Sequence, residues 1–276
     1  MDATWILFAA SLAAGFFGAL MGVGGGLILV PVMVGVLHVP TPLAVGASLV
    51  AVIATSGAAA PAFLERRLVN LRLGVLMSVA AVAGALVGVA IGKLSGGRVV
   101  AFAFMAMLGF AIWTMFQGRR DRPLPPGASG PRARRWGLGG AYQDPATGER
   151  VAYGVRRVVP GFLLFALAGL SSGLLGVGGG LFQVPIMDRV LRLPFKANSA
   201  TSNFVMGISG AAGATAYLVL GDVHPLLAGP ALVGVLLGAK AGSRVMPRLR
   251  TGVLRWIFLA LLVAMMVQMG AAALRG

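Results

Sequence analysis

The sequence predicts an all-α polytopic integral membrane protein built as an inverted-topology internal repeat with glycine-broken short helices. Three observations carry this expectation: the chain is apolar nearly throughout, one glycine motif recurs in fixed register, and basic residues of equivalent loops change places between the copies. Hydrophobic residues make up 58% of 276 positions and charged ones 11%, with a mean hydropathy of +0.91, against roughly 25% charged residues in a soluble domain. The alternating pattern of barrel strands is missing, so the spanning elements are helices, which satisfy their own backbone polar groups.

Apolar stretches near residues 4 to 21, 42 to 63, 71 to 92, 99 to 117, 158 to 175, 199 to 220, 226 to 243 and 253 to 272 approach or exceed the roughly 20 residues a helix needs to cross a bilayer. The first lacks a basic leader, begins with Asp2 and recurs internally at 158 to 175, so it reads as a structural helix rather than a signal peptide. After it comes Gly22-Val23-Gly24-Gly25-Gly26 ahead of Pro31, and the same string returns as Gly176-Val177-Gly178-Gly179-Gly180 ahead of Pro185. Adding 154 to a first-half position finds its partner, as in Leu20/Leu174, Met33/Met187, Pro40/Pro194, Ser48/Ser202, Gly84/Gly238 and Gly88/Gly242. A register held that far marks two copies of one unit. They occupy residues 1–117 and 158–276, joined by a linker, 118–157, rich in Arg, Pro and Gly.

Loop charges orient the copies. Residues 38 to 42 hold no Lys or Arg, whereas the matching 189 to 196 hold Arg189, Arg192 and Lys196; residues 64 to 72 hold Arg66, Arg67 and Arg72, whereas the matching 221 to 225 hold none. The positive-inside rule then gives the copies opposite orientation. A third pair is less one-sided: Lys93 and Arg98 fall outside, and Lys240, Arg244, Arg248 and Arg250 inside. The linker, with Arg119, Arg120, Arg122, Arg132, Arg134, Arg135, Arg150, Arg156 and Arg157 against Asp121, Asp144 and Glu149, is expected in the cytoplasm of a plasma or inner membrane, with both termini outside. Inversion needs an odd number of crossings per copy. Three late helices supply it, so the glycine-interrupted region contributes an even number, as a re-entrant hairpin or two crossings. The pieces after the glycines, 27 to 37 and 181 to 191, are only about 16 Å long as helix, which favours short helices meeting near mid-membrane. Within the linker, Tyr142 to Tyr153 around Asp144-Pro145-Ala146-Thr147-Gly148 reads as a small hairpin with a Gly-containing turn; it is a tether or a regulatory surface.

Two features are candidates for chemistry. Glycine lacks a Cβ and tolerates positive φ, so the runs Gly24, Gly25, Gly26 and Gly178, Gly179, Gly180 break a helix and bring backbone close to a partner. Such breaks are tolerated in a membrane only where buried in protein or lining a wet cavity, as at transporter substrate sites. Helices opening at Leu27 and Leu181 would aim free N–H groups into that cavity, which suits an anion; the alternative is tight helix packing. The second feature is polar residues in apolar helices: Ser48, Thr55 and Ser56 in the first copy, and Asn198, Ser199, Thr201, Ser202 and Asn203 with Gln183 in the second. Hydroxyl and amide donors can hold an oxyanion without a permanently buried charge, or simply bond helix to helix; the latter is favoured for Ser199.

Other classes fall away. The +16 formal charge sits in short links between apolar segments, which points to topology and lipid headgroups rather than nucleic acid. No Lys-Ser/Thr follows the glycines, so they form no P-loop. Without cysteine, disulfides, thiolate metal sites and cysteine nucleophiles are excluded. Histidine and acid spacing shows no metal motif and no reactive constellation is visible, so neither catalysis nor a cofactor is expected. Carboxylates avoid mid-span, which argues against a cation carrier; proton coupling would fall to Asp188, Asp222, Glu65, His38 or His224 at helix ends. The spacings Gly84, Gly88, Gly92 and Gly234, Gly238, Gly242 read as small-residue helix packing, and exposed faces of that kind permit a homodimer.

These residues resemble the sulfite exporter TauE/SafE transporters over nearly the whole chain. The resemblance rests on the doubled Gly-x-Gly-Gly-Gly-x-x-x-Val-Pro at Gly22 to Pro31 and Gly176 to Pro185, on Gly46-Ala47-Ser48-Leu49 and Ala200-Thr201-Ser202-Asn203, and on the Gly-x-x-x-Gly helices. It implies a secondary carrier moving sulfite, sulfonates or related small anions, often outward. Ala47 replaces Thr201 and Leu49 replaces Asn203 in the first copy, which places the polar ligands mainly in the second half.

Overall fold

A computed structural model describes residues 3–95, 97–116 and 124–275. Asp2, Arg119, Arg120, Asp121 and Arg122, counted above, lie outside the described residues. The first copy forms α1 (Ala3–Met21), α2 (Gly26–Gly35), α3 (Thr41–Glu65), α4 (Leu71–Leu94) and α5 (Gly97–Phe116). The linker carries a short helix, α6 (Pro131–Arg135), and two strands, β1 (Gly140–Gln143) and β2 (Arg150–Tyr153). The second copy forms α7 (Val158–Leu175), α8 (Gly180–Ile186), α9 (Phe195–Val219), α10 (Pro225–Val245) and α11 (Thr251–Arg275), with a π-helical turn, Met187–Leu191, continuing α8. Five described helices are long and apolar enough to cross a membrane. The 25-residue α9 has the length but carries the polar patch in its first turns.

Local chemistry sets the boundaries. Pro42 and Pro225 stand in the first turns of α3 and α10, where a missing N–H costs nothing. Asn70 caps α4 by accepting from the Leu73 N–H at 3.1 Å. Gly22 and Gly176, both at φ +73, end α1 and α7 in the left-handed conformation.

Packing exchanges the copies. The most extensive contacts run between α1 and α10 and between α4 and α7, so each copy lends a helix to the other. Exchanging first-half helices for their second-half counterparts converts one contact into the other, turns α3–α10 into α9–α4, and leaves α3–α9 and α5–α11 in place. Glycines make these crossings close. A Cβ on Gly84 would lie 1.9 Å from the Ala166 carbonyl oxygen, and one on its counterpart Gly238 would lie 2.0 Å from that of Leu12. Gly88 meets Leu170 and Gly242 meets Phe16 in the same way, so the small-residue spacing is helix packing.

The loops sort into two ends. At one, a Cβ on Gly46 near the start of α3 would meet the Asp222 carbonyl just after α9, and Lys93 pairs with Asp222. At the other, Glu65 closes α3 beside Asp144, and Asp144 pairs with Lys196 in the first turn of α9. Thus α3 and α9 run antiparallel.

The linker docks at that second end. Strands β1 and β2 pair antiparallel from Gly140↔Tyr153 to Gln143↔Arg150, and Gly148 takes φ +74 in the turn between them, as the sequence leads one to expect. The amide of Asn70 donates to the Leu138 carbonyl at 2.7 Å and to the Tyr153 hydroxyl at 3.4 Å, and the Arg156 N–H donates to the Leu191 carbonyl. Tyr142, Tyr153 and Val155 are buried in the same apolar cluster as Phe63, Leu191 and Phe195.

Candidate functional site

The two glycine breaks meet each other. A Cβ on Gly26 would lie 2.1 Å from the Gly176 carbonyl oxygen, and one on Gly180 would lie 2.5 Å from that of Gly22. Only glycine permits this approach. Gly24, Gly178 and Gly179 hold φ of +77, +74 and +77, so the breaks also depend on conformations that a side chain would strain.

Each break presents unpaired backbone N–H groups. In the first, the Gly22 and Val23 N–H groups donate to the Gly18 carbonyl, and the helical ladder resumes with Ile28 and Leu29 donating to Gly25. Between them, the N–H groups of Gly24, Gly25, Gly26 and Leu27 find no acceptor among the described residues. The second break follows the same pattern with one more free group: Gly176 donates to Ser172, Phe182 and Gln183 donate to Gly179, and Val177, Gly178, Gly179, Gly180 and Leu181 are left over among the described residues. Successive free N–H groups beside a helix N-terminus form an anion-binding concavity.

Serines organise the carbonyls instead. Ser48 Oγ donates to the Gly176 carbonyl at 2.7 Å, and its counterpart Ser202 Oγ donates to the Gly22 carbonyl at 2.7 Å. Each hydroxyl thus reaches from one copy to the break of the other and quiets a carbonyl that would repel an anion. Gln183 lies beside this bond, its side-chain carbonyl 3.1 Å from Ser202 Oγ and sharing that hydroxyl's single proton with Gly22, and its amide points at the Gly178 carbonyl at 3.4 Å.

The remaining candidates face elsewhere. Thr201 Oγ1 donates to the Ala197 carbonyl and accepts from the Asn70 N–H, which ties α9 to the start of α4. Asn203 donates to the Ala19 and Ser199 carbonyls at 3.1 Å each, and its Oδ1 is buried with no hydrogen-bond partner. A bare acceptor does not attract an anion, so the amide pins α9 to the end of α1. Ser199 donates to the Leu20 carbonyl, Asn198 to that of Val184 and Thr55 to that of Ala51.

Sequence reading missed two residues. Val52 of α3 and Met206 of α9 are counterparts under the 154-residue register, and both lie against both breaks: Cβ atoms on Gly24 and Gly178 would stand 3.1 and 2.7 Å from Val52 and 3.3 and 3.2 Å from Met206. The register contained that signal, but apolar side chains in apolar helices gave no reason to single them out. With these two packed in, residues 22–26 and 176–180 are buried. The open wet cavity expected there is replaced by a closed contact.

Charged groups stay at the ends. Lys93 pairs with Asp222, Arg255 with Asp188 at 3.3 Å, and Lys196 with Asp144 at 2.5 Å. Among the described residues, no three His, Asp or Glu side chains gather as a metal site.

Fold and site define an all-α, multi-pass membrane protein with a backbone-lined centre between duplicated halves. The chain belongs to the sulfite exporter TauE/SafE family, which it matches over residues 7–269. It is 27% identical over 253 residues to the probable membrane transporter protein YunE of Bacillus subtilis strain 168, covering 89% of each chain. It is also 26% identical over 236 residues to a probable membrane transporter protein of Xylella fastidiosa strain Temecula1, covering 85% of this chain and 82% of that one. No solved structure matches it. Family and relatives point to membrane transport rather than catalysis.

Proposed function

We propose that the protein is a secondary transporter, working as an exporter, that carries a small sulfur-containing oxyanion such as sulfite or an organosulfonate by alternating access. The observation that carries this reading is the pair of facing glycine breaks with unpaired N–H groups. An anion taken into a bilayer loses its hydration, and fixed N–H dipoles at the start of α2 and its counterpart replace that shell without a buried permanent charge. The family description supplies the sulfur chemistry, and the names of the relatives supply transport.

The copies are taken as inverted, with the linker end cytoplasmic and both termini outside. The antiparallel run of α3 and α9 and the clustering of Arg66, Arg67, Arg150 and Lys196 at one end support this orientation. Alternating access then rocks the copies about the breaks, with Val52 and Met206 withdrawing to admit the ion. Methionine suits that role, being unbranched and conformationally adaptable.

The test is counterflow in proteoliposomes with labelled sulfite, sulfate and a short sulfonate, with and without a proton ionophore. Saturable exchange of one sulfur oxyanion is expected, and the ionophore arm reads proton coupling. Flux without counterflow makes the protein a passive anion channel. No movement of any of the three removes the substrate class.

A further inference from the structure

Equivalent walls stand at the two ends of the bundle, but they are closed differently. Away from the linker, Thr41, Pro42, Val45, Lys93, Leu174 and Tyr217 line a cavity of about 250 Å³. One wall residue, Val45, also packs against the second break, its Cα 3.0 Å from the Cβ position of Gly176. Adding 154 turns Thr41, Pro42, Val45 and Lys93 into Phe195, Lys196, Ser199 and Pro247, and all four are buried at the linker end.

The side chain that meets Lys196 there comes from the linker. Asp144 Oδ1 accepts from Lys196 Nζ at 2.5 Å, and the same ammonium donates to the Pro247 carbonyl at 3.0 Å. Lys196 is 1% exposed. The β1–β2 turn is built around this carboxylate: Oδ1 also accepts from the Ala146 N–H at 2.8 Å, and the Asp144 carbonyl accepts from Thr147 and Gly148. The turn also lines a polar cavity of about 890 Å³, which Asp144 and Gly148 share with Glu65, Arg66, Arg67 and Arg150, so polar space adjoins the carboxylate. A buried ammonium needs a counter-anion, so whatever replaces Asp144 must be anionic or bring water.

We propose that Lys196 is the docking cation for the transported oxyanion at the linker end, and that the Asp144 carboxylate is a tethered stand-in holding this mouth shut until a free anion displaces it. This rests on the oxyanion-transport reading and extends it to the route by which the ion reaches the breaks.

The chain contains no cysteine, so one thiol can report on the route. Ser199 is the buried counterpart of Val45, one turn along α9 from Lys196. Full-length Ser199→Cys protein in vesicles is treated with an anionic, sulfonate-bearing thiol reagent and with a cationic one of similar size. Three backgrounds are compared: Asp144 intact, Asp144→Asn, and Asp144→Asn with Lys196→Gln; asparagine keeps the side-chain acceptor of the turn. Asp144→Asn is expected to speed the anionic reagent about tenfold and the cationic one less, with the preference lost when Lys196 is replaced. Equal labelling with Asp144 and Asn overturns the plug, and a missing charge preference overturns the role of Lys196. Sulfite counterflow on the same vesicles keeps the two readings apart. Faster labelling without exchange supports the plug and overturns sulfite transport, whereas exchange with unchanged labelling supports transport and overturns the plug.

Discussion

The Ser48 hydroxyl bonds the Gly176 carbonyl across the two copies at 2.7 Å, and the register repeats that bond between Ser202 and Gly22. Each copy therefore holds the other's glycine break in place. The serines act on backbone that faces the other copy, and the backbone presents the N–H groups.

Removing either hydroxyl leaves a buried carbonyl short of a donor, at a cost of about 1–3 kcal/mol in proteins generally and about 0.6 kcal/mol on average for hydrogen bonds in membrane bundles. Ser202→Ala should cost more than Ser48→Ala, because it also leaves the buried Gln183 side-chain carbonyl without its neighbouring donor, whereas the second acceptor of Ser48, the Val45 carbonyl, lies within the α3 helix. Thermal unfolding in detergent, followed by tryptophan fluorescence, measures both; an unchanged melting temperature in both variants contradicts the coupling.

Gly26→Ala and Gly180→Ala drive a methyl into backbone at 2.1 and 2.4 Å, so sulfite counterflow should fall below detection in each. Gly57→Ala is the control, with nothing within 4 Å of the added carbon, and should transport normally. Equal activity of the three variants would show that the breaks need not touch.

A different failure is expected at the helix crossings. Gly84→Leu and Gly238→Leu place a side chain where a carbonyl oxygen already stands at 1.9 and 2.0 Å, so the chain should lose its folded state. Size-exclusion chromatography of the solubilised protein reads this as aggregation. Well-folded variants with selective loss of transport would move these glycines from packing into the site.

Met206→Ala enlarges the space between the breaks. Its expected effect is on selectivity: counterflow of a longer sulfonate should rise relative to sulfite. An unchanged ratio with normal folding would remove Met206 from the path.

Linker docking carries its own pH signature. Burial, partly offset by the Asn70 hydrogen bond, pushes the Tyr153 hydroxyl up to about 12 from an ordinary value of 10.0. The neutral phenol is the form that docks. Its stabilisation is therefore complete below pH 10.0 and is lost as pH rises toward about 12. Spectrophotometric titration of tyrosinate in a Tyr142→Phe, Tyr217→Phe chain isolates this group; an apparent value near 10 would mean that the hairpin is not docked.

Much was legible in the chain itself. The apolar spans, the doubled glycine string and its 154-residue register, the Gly84 and Gly238 packing faces and the Asp144–Gly148 hairpin all follow from local chemistry. A glycine run or a turn limits backbone conformation wherever it occurs, and hydropathy is additive along a segment, so neither needs a partner to be read.

Only the tertiary structure decided what those parts face. Ser48 and Gly176 are 128 positions apart, and no periodicity tells a hydroxyl whether it will meet a carbonyl or an ion. Asn203 carries the same amide whether its donors are free or, as here, spent on Ala19 and Ser199. Val52 and Met206 are ordinary apolar residues until two breaks close around them. Lys196 and Asp144 resemble other loop charges until docking buries them together. Direction and burial depend on which helices cross, and here the first helix of each copy packs onto the fourth of the other, so the sequence determined the parts and their symmetry while packing between the copies assigned their roles.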